Sequence, residues 1–360
     1  MQKVKNYGSF FQAFALKKTL ENEDCDCYFI DIEKGEQLRG IEITVFFYIR
    51  KLFEKFFSFT ALPRIYYWVK FVKVFPKYQK PLELEKKISQ LENYDLVVIG
   101  SDEVFNCTQK SALGFSQQLF GANIKSSIII SYAASFGHTT KEDIITYNLF
   151  DKIKLGLTNL KAISVRDNNS FQLIEYITNE KPNINVDPVL IYDFDSYIPK
   201  TNQFGLKDYI IIYSYPNRIK NKEEISEIKT FASKVNKQLV SIGFYFSWCD
   251  KTIIPEPFEV MRLFKDASYI ITDTFHGAVM SIKFNKKFVV LVRKSNEQKL
   301  TYLLNQFKLT SQIIKRGEKL EDKLIQDIDY VNVNSIISGE KINSINYLKD
   351  CLNFARTSMY

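Results

Sequence analysis

A chain of 360 residues with 46% hydrophobic content is long enough for two ordinary domains, each with its own core, and its 13 glycines and 9 prolines are too few for a fibrous or disordered class. The five cysteines, Cys25, Cys27, Cys107, Cys249 and Cys351, are odd in number and form no CxxC pair, which predicts reduced thiols in a cytosol and no metal site. The net charge of +8 accompanies abundant Lys, Ile, Asn, Phe and Tyr, a profile that a nucleotide-biased genome produces. No zinc finger or aromatic RNA-binding motif accompanies the charge, so no nucleic acid is expected. A phosphorylated substrate or an anionic membrane surface accounts for it as well.

Along the chain, apolar strand-like runs alternate with helical stretches. Asn6-Tyr-Gly-Ser-Phe-Phe-Gln-Ala-Phe-Ala-Leu16 opens a helix near Gly8 behind a small polar loop, and a strand is predicted near Cys27 to Ile32. After a helical insertion at about 41–90, strands are predicted near Leu96, Ile128, Ile163 and Ile184, then at Tyr209–Tyr213 and near Leu239, Tyr269 and Phe288. Tyr197 to Lys207, with Pro199, Asn202 and Gly205, reads as a linker. The expected organisation is an α/β domain over 1–200, a second over 201–344, and a helical stretch at 345–360 that folds back on the first. No internal repeat or low-complexity tract is found.

The insertion mixes Phe46, Phe47, Tyr48, Phe53, Phe56, Phe57, Tyr66, Tyr67, Trp68, Phe71 and Phe75 with Arg50, Lys51, Lys55, Arg64, Lys70, Lys73 and Lys77. No run there is long and uncharged enough to span a bilayer, which takes about 20 apolar residues. Two readings stand: a basic aromatic helix lying on an anionic membrane surface, or aromatics that pack on the sheet or form a substrate-side lid. Packing is the favoured one.

Ser268-Tyr-Ile-Ile-Thr-Asp-Thr-Phe-His-Gly-Ala-Val-Met-Ser281 is the segment richest in chemistry. A short apolar strand breaks at Thr272-Asp273-Thr274 and restarts with helical spacing, which places His276, one of two histidines, at a helix N-terminus. Unpaired N–H groups and the helix dipole favour an anion there, and Gly277 lets a ligand approach the backbone. A capped helix carrying a packed histidine explains the same residues. His138, after Gly137 and before two threonines, reads as a loop residue. Other predicted strands also end in polar residues, where open α/β sheets bind ligands. They are Asp95-Leu-Val-Val-Ile-Gly-Ser-Asp-Glu-Val-Phe-Asn106, Ile128-Ile-Ile-Ser-Tyr-Ala-Ala-Ser-Phe-Gly137, Ala162-Ile-Ser-Val-Arg-Asp167 and Asn185-Val-Asp-Pro-Val-Leu190.

In this order the segments resemble the polysaccharide pyruvyl transferase family. Its pattern reads roughly Asn-Tyr-Gly with a following Leu-Gln-Ala, then Gly-Ser-Asp-Gln-Val-Trp-Asn, Tyr-Ala-Ala-Ser, Ser-Val-Arg, Asp-Pro and Thr-Asp-Ser-Phe-His-Gly. The matches run from about Asn6 to about Leu304, and the ordered set is specific although no one motif is. Departures are mild: Phe105 for Trp, Glu103 for Gln, Asp167 for Glu and Thr274 for Ser. Only Met1-Gln-Lys-Val-Lys5 precedes Asn6, where the family leads in with a complete apolar strand. A strand is therefore expected to be missing from the first domain, and a chain extended upstream by it to be more stable and more active.

The resemblance implies two Rossmann-like domains in a glycosyltransferase-B-like arrangement with a cleft between them. It implies transfer of a pyruvyl group from phosphoenolpyruvate to a sugar of a cell-surface polysaccharide, exopolysaccharide or capsule, or to its lipid-linked precursor. The product is a ketal, the donor is a substrate, and no cofactor or metal is called for. The expected location is cytoplasmic, with peripheral contact at the inner face of the membrane. His276 is then the general acid/base. Arg166 offers a planar fork to the donor's carboxylate or phosphate, against a salt bridge with Asp167 or a neighbour. Asp102 orients the acceptor or acts as base, or it only caps the turn after Ile99. Ser101, Thr274 and Gly277 border the substrate, and Asn6 and Gly8 shape the first-domain side of the cleft. Lys299 stands where the family often carries Arg before its Leu-Leu pair, here Leu303-Leu304, and either reaches the donor phosphate or stays solvated. Two other classes fit the pattern: a nucleotide-sugar-dependent glycosyltransferase of the same fold, and a non-catalytic relative in polysaccharide assembly.

Overall fold

The structure, a computed structural model, describes residues 4–38, 61–74, 82, 94–109, 113–294, 296–315 and 317–357. Helix α1 (Tyr7–Glu21) starts at Asn6, whose side-chain oxygen accepts the Gly8 N–H at 2.8 Å. Its apolar residues surround the helix axis, so it is buried between layers instead of resting on a surface. Helix α2 (Ala61–Val74) lies within the expected insertion, whose residues 41–60 and 75–81, with Phe46, Phe47, Tyr48, Phe53, Phe56, Phe57, Phe75, Arg50, Lys51, Lys55 and Lys77, fall outside the described residues.

A parallel sheet follows, with β1 (Tyr94–Asp102), β2 (Ser126–Ala134), β3 (Ser164–Val165) and β4 (Asn183–Ile184) side by side in chain order. The crossovers carry α3 (Lys141–Thr146), α4 (Phe150–Leu157) and α5 (Asn168–Thr178), and Asp187 caps the short α6 (Pro188–Ile191). The second sheet is also parallel. Its strands are β5 (Tyr209–Tyr213), β6 (Gln238–Ile242), β7 (Lys251–Ile253), β8 (Tyr269–Thr272) and β9 (Lys287–Val290), in the order β7-β6-β5-β8-β9. Around it pack α7 (Lys222–Lys234), α8 (Pro257–Asp266), α9 (Phe275–Lys283), α10 (Glu297–Gln306) and α11 (Leu320–Ile325). Strand β7 is absent from the sequence reading, because three residues beginning with a lysine are too short for alternation to show.

Helix α12 runs unbroken from Tyr330 to Thr357, starting well before the predicted 345. Its later half lies on the first sheet: the Tyr347 hydroxyl donates to the Ser131 carbonyl at 2.8 Å, and Ser344 meets Asn185 at 3.3 Å. One apolar core spans the two sheets, and each sheet also keeps a smaller core of its own, around Val97, Ile129 and Val165 in the first and Ile210, Phe231 and Val289 in the second. Phe10, Phe11 and Phe14 of α1 pack edge to face against Phe194, Tyr197 and Phe258, so the first helix is the joint between the domains.

One predicted strand is corrected. Cys27–Ile32 is extended, with Cys25, Cys27 and Phe29 turned inward, but it joins no sheet among the described residues. The reason lies beside β1, whose ladder among the described residues is with β2 alone. Along its other edge runs a cavity of about 800 Å³ walled by Leu96–Asp102, by Ser9, Gln12 and Leu16 of α1, and by Phe29 and Leu352. The extended segment lines the same cavity, so the two backbones do not meet.

Candidate active site

The site assembles where the carboxyl ends of the two sheets face each other across α1. Strand β1 ends in Ser101 and Asp102, both buried, and Asp102 sits at φ +73°, a left-handed conformation that Asp tolerates better than most residues. Its carboxylate accepts from Arg166 Nη2 at 2.8 Å and from the Ser9 hydroxyl at 3.2 Å. Arg166 reaches Asp187 Oδ2 with Nη1 at 3.2 Å, and Gln12 donates to that same oxygen. The guanidinium also lies flat on Phe275, 4.3 Å from the ring centre. Only 5% exposed, Arg166 is thus bracketed by two carboxylates and an aromatic face.

Of the two readings of Arg166, the ligand-free structure displays the ion pair, made with Asp102 and Asp187 and not with Asp167. Asp167 instead caps α5 through the Ser170 N–H at 2.8 Å and accepts from Ser135 Oγ at 2.6 Å. Asp102 is no turn cap. Burial pushes its carboxyl up, but Arg166, His276 and Lys299 together outweigh that and hold it well below the ordinary range. A carboxylate so stabilised is a weak proton acceptor.

His276 lies in the first turn of α9, whose cap is Thr274: the Gly277 N–H donates to Thr274 Oγ1 at 2.9 Å. The N–H groups of Phe275 and His276 have no intrahelical acceptor. The imidazole is 8% exposed, presses against Gly8 of the first domain, and its Nε2 has no hydrogen-bond partner among the described residues. Burial lowers its pKa from 6.5, and Asp102 and Asp187 pull the other way without prevailing. Gly277 faces no open space. A Cβ there would lie 2.1 Å from Thr272 Oγ1, so the close approach expected of a ligand is made by the protein's own hydroxyls.

The remaining predicted residues join the same junction. Asn6 donates through Nδ2 to the Tyr215 hydroxyl at 2.5 Å, tying the start of α1 to the loop after β5. Lys299 pairs with Glu103 across the domains, 6.0 Å from the Phe275 ring centre. Ser101 is buried with its hydroxyl lacking a partner among the described residues, at the inner end of the cavity beside β1. His138 stands apart on an exposed loop, 3.3 Å from Asn106. Sequence reasoning did not single out Ser9, Gln12, Asp187, Tyr215, Arg218 or Phe275. Asp187 had a signal in its Asp-Pro pair, whereas Arg218 had none.

Among the described residues, no His, Cys, Asp and Glu cluster could hold a metal, and no helix is long and apolar enough to cross a membrane. Among solved structures the chain is similar to a mutant O-GlcNAc transferase of Thermobaculum terrenum, at 11% identity and TM-score 0.39. That match covers 74% of this chain and 52% of the other, about half the relative's length. It is similar to the UDP-GlcNAc 2-epimerase of Neisseria meningitidis bound to UDP-GlcNAc, at 14% identity and TM-score 0.46 over 94% and 97% of the two chains. The UDP co-structure of S. aureus MnaA matches at 13% identity and TM-score 0.47 over 96% and 95%. No curated protein matches. The family model for polysaccharide pyruvyl transferase matches residues 6–295, a span that takes in α1, the ends of β1 and β3, and the His276 turn, and the chain belongs to that family.

Proposed function

We propose that this protein transfers the pyruvyl group of phosphoenolpyruvate to a sugar of a cell-surface polysaccharide or its lipid-linked precursor, forming a ketal. The observation that carries the reading is His276: a buried, neutral imidazole with a partnerless Nε2, set beside two helix N–H groups suited to an anion. The reaction needs both. A sugar hydroxyl adds through oxygen to C2 of the donor, its proton passes to C3, and the methylene becomes methyl. A second hydroxyl then displaces phosphate from C2 and closes the ketal, and its proton leaves with the phosphate.

His276 is the group that takes the hydroxyl proton and returns it to C3, a neutral base becoming an acid within one step. Asp102 stabilises the imidazolium that forms between the two transfers rather than accepting a proton itself. Arg166 holds Asp102 and Asp187 in place, so its effect on the donor is indirect. Helix α2 exposes Leu62, Tyr66 and Trp68 beside Arg64 and Lys70, while Phe71 and Tyr67 dock on Phe244 and Tyr245. That outward face supports a lipid-linked acceptor met at an anionic membrane surface on the cytoplasmic side.

Thermal unfolding with each ligand class tests the reading. Phosphoenolpyruvate at about 100 times its Kd should stabilise the fold by about 2.7 kcal/mol, and UDP-sugars should leave it unchanged. Protection by a UDP-sugar alone would assign the chain to glycosyl transfer instead.

A further inference from the structure

Cations meet at this junction, and nearly all are neutralised by the protein itself. Arg166 lies between Asp102 and Asp187, Lys299 pairs with Glu103, and Arg293 makes a two-pronged contact with Glu224 at 2.7 and 2.9 Å while facing Asp273 at 3.6 Å. Around His276 the first group leaves three carboxylates, Asp102, Asp187 and Glu103, against two cations. A phosphorylated carboxylic acid entering there would meet net negative charge.

Arg218 is different. It is half-buried in the loop after β5, its guanidinium carbon lies 4.8 Å from the Tyr215 ring centre, and Nη1 donates a long bond of 3.4 Å to the Asp273 carbonyl. It makes no ion pair within 4 Å among the described residues, although the Asp273 carboxylate feels its charge from farther away. Strand β5 is flanked by β6 on one side and β8 on the other, so this loop stands at the point where the strand order of the second sheet reverses. Crevices at such points, outside the carboxyl ends of the strands, are where open α/β sheets take ligands. The strand on the other side of that crevice, β8, leads directly into Asp273, Thr274 and the first turn of α9. The partnerless Nε2 of His276, on a side chain more than nine-tenths buried, is an independent sign that this turn awaits a ligand.

We propose that Arg218 binds the donor phosphate, in an anion subsite completed by the Phe275 and His276 N–H groups and closed by Tyr215. The identity of the ligand rests on the pyruvyl-transfer reading, and the chemistry of the subsite, a phosphate monoester gripped by a guanidinium and a helix N-terminus, does not. Sequence patterning is silent about it because Arg218 belongs to none of the recurring motifs.

The test is calorimetric titration of the wild type, Arg218→Gln and Arg218→Lys with inorganic phosphate, phosphoenolpyruvate and pyruvate. Arg218→Gln is expected to weaken both phosphorylated ligands about tenfold or more and to leave pyruvate binding and the melting temperature alone, with Arg218→Lys between the two. Binding of inorganic phosphate by Arg218→Gln as tightly as by the wild type overturns the subsite, as does a wild type that binds no anion. A loss confined to pyruvate overturns the phosphate assignment. Phosphate binding that depends on Arg218, in a protein that never consumes phosphoenolpyruvate, keeps the subsite and removes the pyruvyl-transfer reading. If Arg218→Gln melts lower, the Arg218→Lys affinities, taken at an unchanged melting temperature, decide between these outcomes.

Discussion

At Gly8 there is no room for a side chain. A Cβ would lie 2.1 Å from Cγ of His276, so Gly8→Ala must displace the imidazole or part the domains. The expected cost is about 1–3 kcal/mol of stability, the usual scale for overpacking, with activity lost beyond what stability explains. A Gly8→Ala protein with wild-type turnover would place the chemistry elsewhere. Arg166→Lys is expected to act on stability first. A single ammonium cannot reach both Asp102 and Asp187, and a buried acceptor left without its donor costs about 1–3 kcal/mol. A melting temperature equal to wild type, with donor affinity reduced, would return Arg166 to direct ligand contact.

The His276 titration also has a sign. Folding lowers its pKa below 6.5, chiefly by burial, with Arg166 and Lys299 acting in the same sense and Asp102 and Asp187 opposing. The folded state therefore binds fewer protons than the unfolded chain just below pH 6.5. Stability owed to this group is complete above that pH and is lost as pH falls through the folded value. With the neutral imidazole as the proposed working form, the acid limb of kcat/KM should bend below 6.5. An acid limb centred above 6.5 would contradict a neutral, desolvated His276.

At the scale of elements, the apolar runs made most of the fold legible. Tyr209–Tyr213 lies where its isoleucine run places it, because a strand covered on both faces must be apolar throughout. Cys27–Ile32 shows the limit of that logic: alternation supplies a face, but a strand also needs a neighbouring backbone to pair with. Among the described residues the segment and β1 line one cavity from opposite sides, so the partner that alternation cannot supply is not β1.

The molecule as a whole works through contacts between residues far apart in sequence. Gly8 meets His276, Asn6 meets Tyr215, and Glu103 meets Lys299, each joining the two sheets at the site. The motifs named most of the residues at this junction, since turns at strand ends carry their own sequence signature. They did not reveal who neutralises whom: the pairing of Arg166 with Asp102 and Asp187 is a product of sheet order, not of spacing along the chain. The shared aromatic core around α1 makes the junction a fixed feature of the fold rather than a loosely hinged cleft.

The proposed transfer of a pyruvyl group at this junction, with His276 as the proton carrier, is read most directly by 31P-detected release of phosphate from phosphoenolpyruvate, incubated with the glycan and lipid-linked fractions of the source cells, alongside mass analysis for the added pyruvyl ketal. One phosphate released per ketal formed is predicted for the wild type, and a loss of about 10²-fold or more for a folded His276→Ala variant. Phosphate release that His276→Ala sustains at the wild-type rate, or no release while a UDP-sugar is consumed, would contradict it.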